Sequence, residues 1–182
     1  MQSKDVLSVW KKSMESYRLP RWNDLPDLDL YMDQVVSLIE RTLKVFSFSE
    51  QERMITPAMI NNYVKLGIVP PPQKKRYSRE HVARLIMLSL LKQVLSISQI
   101  NQLLRHQENG DISRAYNAFC DNHESTLRET VDSAIEQGGV LQHNLALELA
   151  TLTFATKSVA ARLINEQPES PQKTDPKEKD EK

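Results

Sequence analysis

Three consecutive prolines, Pro70-Pro71-Pro72, stand between two stretches of helical periodicity and constrain this chain more than any other feature. Proline lacks a backbone donor and biases the residue before it to extended geometry, so Val69 to Tyr77 cannot be helical. Upstream, Thr56 stands directly before Pro57, an N-cap followed by proline at the first helical position. That helix is predicted to run through Leu66 and to stop at Gly67, which can take the left-handed C′ conformation. Downstream, Ser78 caps the next helix, with Glu80 or His81 in its first turn. Its apolar stripe is Val82, Leu85, Ile86, Leu88, Ser89 and Leu91. Two helices are thus joined by a stiff connection carrying Lys74, Lys75 and Arg76.

Periodicity places further helices on either side. Residues 4–18 form an amphipathic helix with Val6, Leu7, Trp10, Met14 and Tyr17 on one stripe. A turn-rich stretch, Leu19 to Asp29, contains Pro20 and Pro26. Leu28, Met32, Val35, Val36, Ile39, Leu43 and Phe46 keep i, i+3/i+4 spacing, which predicts a helix over 28–46. Phe48 to Arg53 is a connector. Ser96 or Ser98 caps a short helix bearing Ile97, Ile100, Leu103 and Leu104. Two longer helices follow near 111–137 and 141–165, separated by Gly138-Gly139. The tail Glu166–Lys182 has three prolines, dense charge and no aliphatic residue, so it is expected to stay disordered.

Composition narrows the function. The formal net charge is zero, yet Arg53 to Gln107 carries nine basic residues against Glu80 alone, leaving +8 here and −8 elsewhere. A basic segment in a neutral chain suits a polyanion at one face, or else forms a solvated helical surface. Four glycines argue against a doubly wound enzyme with several phosphate-binding turns. One cysteine excludes an intrachain disulfide and fits a reducing cytosol. The opening residues MQSKDVLSVWKK carry no apolar leader, and the longest nearly apolar run, Leu85 to Leu91, is seven residues against the ~20 of a membrane span. A cytoplasmic protein without a membrane segment is expected.

The ordered combination of Thr56, Ile60, Tyr63, Lys65, Gly67, Ile68, Pro70, Arg76, Tyr77, Val82, Leu85, Leu95, Ser96, Ile97 and Ile100 resembles the MerR-type winged helix-turn-helix. The strings Leu25-Pro-Asp-Leu-Asp-Leu-Tyr-Met-Asp-Gln and Met59-Ile-Asn-Asn-Tyr-Val-Lys-Leu-Gly are similar to the YkrK-like proteins, a Gram-positive family of MerR-like regulators described as a domain of unknown function. The resemblance covers roughly residues 20–107. It implies a mainly α fold: a MerR-like winged helix-turn-helix core over about 28–107, inside an N-terminal unit 1–110 braced by helices. C-terminal helices over 111–165 then offer a dimer seam or ordinary intradomain packing, and 166–182 is the tail. MerR-type domains open with a short strand and helix, and no matching string precedes Thr56. The 28–46 helix would supply that first helix through a longer connector.

The implied partner is double-stranded DNA, bound by a homodimer. In the recognition helix, Met59, Ile60, Tyr63 and Leu66 can pack while Asn61, Asn62 and Lys65 face out. Asn pairs bidentately with adenine, and Lys reaches guanine or phosphate. Asn61 occupies the place where many MerR-type proteins carry Arg, which alters the base preference expected. Tyr63 either bonds a phosphate or packs in the core. Lys74, Lys75 and Arg76 sit at or near the wing tip, suited to backbone or minor groove. Tyr77 anchors the wing. Arg79 and Arg84 either reach phosphates or form solvated surface.

Catalytic signatures do not emerge from the sequence. It contains no Gly-rich phosphate loop, His-Glu-x-x-His, Gly-x-Ser-x-Gly or paired-cysteine site. Cys120 and His123 share a helical face in Cys-Asp-Asn-His-Glu, but structural zinc needs about four ligands and no second pair is evident. Cys120 reads as a small buried hydrophobe. Neither an enzyme nor a cofactor is expected. The alternative to a DNA-binding regulator is a helical protein-interaction adaptor that keeps the winged fold without DNA affinity.

Overall fold

A computed structural model describes residues 3–47, 53–107, 111–137 and 142–166. Seven α-helices appear among these residues: α1 Ser3–Glu15, α2 Met32–Thr42, α3 Pro57–Lys65, α4 Arg79–Leu91, α5 Ile97–Gln107, α6 Ile112–Glu136 and α7 Gln142–Asn165. Short 3-10 turns occupy Trp22–Asp24 and Lys44–Phe46. The fold is mainly helical. The Gly138-Gly139 break, most of the Phe48 to Arg53 connector and all of the tail but Glu166 lie outside the described residues.

The centre of the molecule is α4. Every residue from His81 to Ser89 is buried, not only the stripe predicted for it. Burial all round means that α4 is enclosed, with α2 and α6 packed against it. Ser78 is its N-cap, and the Ser78 N–H donates to His81 Nδ1 (3.0 Å), so the third helical position closes the cap. The same core holds Ile60, Leu85, Ile100, Tyr116 and Cys120, so it continues beyond residue 110 into α6.

Local chemistry sets the ends of α3. Thr56 Oγ1 accepts from the Met59 N–H (3.2 Å), and Pro57 fills the first position. At the other end Gly67 has φ +68°, Gly67 N–H donates to Val64 O and Ile68 N–H to Tyr63 O, both at 3.0 Å. This is a Schellman close, which a Cβ at Gly67 would strain. In α5, Ser96 N–H donates to Gln99 Oε1 (3.0 Å) and Gln99 N–H to Ser96 Oγ (3.3 Å). That pair is a capping box and selects Ser96 over Ser98 as the cap.

Two expectations are corrected. The helix predicted over 28–46 begins at Met32, and Leu28 is 75 % exposed rather than on an apolar stripe. Leu30 is diverted into an antiparallel bridge, its N–H donating to Tyr77 O (2.9 Å) and the Tyr77 N–H to Leu30 O (2.8 Å). The first helix ends at Glu15 rather than near 18, because the chain turns there to bury Tyr17 and Leu19.

Residues 17–25 form a strap clamped to α6. The Leu19 N–H donates to Glu124 Oε1 (2.7 Å), and Arg21 Nη1 donates to the same oxygen (2.7 Å) and to Leu19 O (2.9 Å). Tyr116 Oη donates to Pro20 O (2.8 Å), and the Trp22 N–H to Asn117 Oδ1 (2.8 Å). The Glu124 side chain is only 6 % exposed. Burial alone would raise its pKa, but the Arg21 and Leu19 donors outweigh that and hold it below the ordinary carboxylate value.

Candidate nucleic-acid interface

The geometry of α3 sorts its side chains as amphipathicity requires. Ile60 and Tyr63 are buried, whereas Ala58, Asn61, Asn62 and Lys65 are exposed. Spacings of three and four residues put these on one outward face. Tyr63 is 3 % exposed and belongs to the core, where burial raises its pKa and keeps the hydroxyl protonated. Lys92, at the end of α4, brings a further cation toward this helix, with Nζ 3.8 Å from Met59 Sδ.

The basic connection folds into a tight turn. Gln73 and Arg76 form an antiparallel bridge, with the Arg76 N–H donating to Gln73 O at 2.9 Å. The two central residues, Lys74 (φ 50°) and Lys75 (φ 63°), both lie in the left-handed region. Positive φ at both centres is the requirement of a type I′ turn, which normally selects Asn-Gly or Asp-Gly. Residues with a Cβ cost roughly 1–2 kcal/mol each there. Two exposed lysines therefore occupy a tip for which the backbone favours glycine. Tyr77, at the base, is buried with its ring edge-on to His81 (centroids 5.6 Å).

The remaining cations of the predicted site are bound within the molecule. Arg76 is exposed, yet its guanidinium lies 4.6 Å from the Tyr31 ring centroid and Nη2 donates to Tyr31 Oη (2.8 Å). Arg79 Nε donates to Pro26 O (3.4 Å), and its guanidinium lies 5.9 Å from the Trp22 ring. Arg84 was expected at a solvated surface or against phosphate, but it is 5 % exposed and paired with Glu80 at 2.9 Å. A long side chain one turn from its acid is drawn in beneath the enclosing helices.

Tyr31 is the contributor that helical periodicity missed. The alternation Asp27-Leu28-Asp29-Leu30-Tyr31 has period two, a strand signal masked by the 3.6-residue pattern that begins just after it.

The Cys120–Glu124 cluster contacts the strap through Asp121 and Glu124 to Arg21 and through Glu124 to the Leu19 N–H. Among the described residues no group of three His, Cys, Asp or Glu is placed to hold an ion. Cys120 is fully buried, and burial pushes its thiol up to about 11. His123 stacks on Phe119 and meets Tyr17 and Phe46 edge-on.

The described residues thus define a mainly helical domain with an outward amide-bearing helix and a strained basic turn. No helix among them is long and apolar enough to cross a membrane. The chain belongs to the family described as a domain of unknown function, DUF1836, whose model matches residues 20–119. No curated protein and no solved structure matches the chain.

Proposed function

We propose that this chain is a sequence-specific DNA-binding transcriptional regulator of MerR-like type, non-enzymatic, cytoplasmic and homodimeric. The observation that carries the reading is the Lys74-Lys75 turn, where two cations hold left-handed backbone at a cost in stability. A demand for positive charge at that point accounts for the choice, and duplex phosphates supply it. The turn follows a doubly capped α3 whose exposed face offers Asn61, Asn62 and Lys65. Supporting order comes from the Leu30 bridge followed at once by α2, a strand contact and a helix ahead of α3, as a MerR-type domain has.

In this reading Asn61, Asn62 and Lys65 contact base edges, while Lys74, Lys75 and Arg76 contact the backbone. Dimerisation is assigned to α7. It buries Leu145 and Ile164, but Leu147, Leu152, Phe154, Val159 and Leu163 all remain exposed. Apolar exposure on this scale marks an interaction surface.

Salt dependence of binding to random duplex DNA tests the proposal. About six phosphate contacts predict a fall in affinity of roughly 10³-fold between 50 and 200 mM salt. Little binding even at 50 mM salt overturns the proposal in favour of the adaptor, with α7 as its partner surface.

A further inference from the structure

The seam between α1 and α6 holds a cavity of about 280 Å³. Its apolar lining is Met14, Leu127 and Val131, with Tyr17 beside them. All ten lining residues lie outside 20–119, so this chain builds the cavity from parts beyond the family-matched unit.

The charges around it are unevenly committed. Glu124 is occupied by Arg21 and the Leu19 N–H, and Asp132 by Lys11 at 2.7 Å. Glu15 is exposed at the rim. Arg18 Nη1 donates to Tyr17 O (2.6 Å) and to Glu15 O (3.4 Å), and its Nε stands 3.8 Å from Glu124 Oε2. Arg128 is exposed and makes no ion pair among the described residues. Two guanidinium groups with donors to spare thus face one free carboxylate over an apolar floor. Guanidinium groups select carboxylates through paired, charge-assisted hydrogen bonds.

We propose that this seam binds a small monocarboxylate with an aliphatic body, its head group held by Arg18 and Arg128 and its chain lying on Met14, Leu127 and Val131. The volume equals about nine waters at ~30 Å³ each, which suits a ligand of about ten non-hydrogen atoms. Octanoate has that size.

Calorimetric titration of the full chain with octanoate, octanol and octylammonium tests the site through three head groups on one chain length. One octanoate is expected per protomer, with both analogues at least tenfold weaker. Arg128→Gln, at an exposed position that leaves the fold alone, should weaken octanoate about tenfold or more and leave octanol unchanged. Octylammonium binding as tightly as octanoate overturns the assignment, as does octanoate binding equally to the Arg128→Gln variant and the parent chain. The titration contains no DNA, so its failure leaves the DNA-binding proposal standing, and the converse holds.

Discussion

Replacing Lys74-Lys75 by Asn-Gly should stabilise the protein while weakening its grip on DNA. Both lysines have positive φ, 50° and 63°. Asn tolerates that region and Gly enters it freely, so the pair recovers roughly 1–2 kcal/mol of left-handed strain. For a chain of this size each kcal/mol moves Tm by about 2–4 °C, so thermal denaturation should show a rise of about 2–8 °C. The same change removes two phosphate contacts per protomer, four per dimer. The slope of log affinity against log salt, about −0.9 per contact, should become shallower by about 3.6. Lys74→Ala/Lys75→Ala separates the two effects: it removes the charges but retains the Cβ strain. Its Tm should stay near the parent value, and its affinity should fall equally for a preferred site and for random DNA. A lower Tm for the Asn-Gly variant would refute the strain argument. An unchanged salt slope would remove the turn from the interface, and loss confined to the preferred site would move it into base reading.

Asn61→Ala or Asn62→Ala should cost about 1–3 kcal/mol on the preferred site and hardly change random-sequence binding. Melting should stay level or rise slightly, since Asn is a poor interior helix former; lower melting with specificity untouched in both variants would displace the reading face. Leu147→Glu/Phe154→Glu on exposed positions of α7 should convert a dimer to a monomer in light scattering without loss of helicity; an unchanged mass would return α7 to intradomain packing. Burial holds the His123 pKa below its ordinary value. Its neutral form therefore contributes stability that is full above about pH 6.5 and is lost as pH falls through the folded-state value. His123→Phe should flatten that part of the stability profile in denaturant melts at stepped pH. Glu124→Gln should cost about 2 kcal/mol at pH 7, because Arg21 loses a charged partner. The carboxylate's contribution is present above about pH 4.3 and lost below it, so the variant and parent melting curves should converge in acid.

How much of this fold was legible in the sequence follows from how local each determinant is. Thr56-Pro57, Gly67 and Ser78 act on the nearest turn, and they were readable as caps. The outward placement of Asn61, Asn62 and Lys65 follows from period alone. Leu30 joining Tyr77 across 47 residues leaves no local mark except a short alternation, so α2 was drawn four residues too long at its start. The burial of Arg84 depends on which helices enclose α4, a tertiary matter that a positive charge argues against. Glu124 reaching Arg21 across 103 residues is equally silent in sequence, so the Cys-Asp-Asn-His-Glu string gave no sign that it holds the strap. The strain at Lys74 and Lys75 could not be read either, because only the backbone reveals that a glycine turn has been given to lysine.

The central claim is sequence-specific DNA recognition, and selection from a random duplex pool tests it most directly. Repeated rounds with the full chain should enrich adenine-containing half-sites in twofold repeat, spaced by about one helical turn or a multiple of it. Enrichment should vanish for Asn61→Ala/Asn62→Ala while bulk DNA is still retained. A pool that shows no enriched motif, with no DNA retained at low salt, would contradict the account.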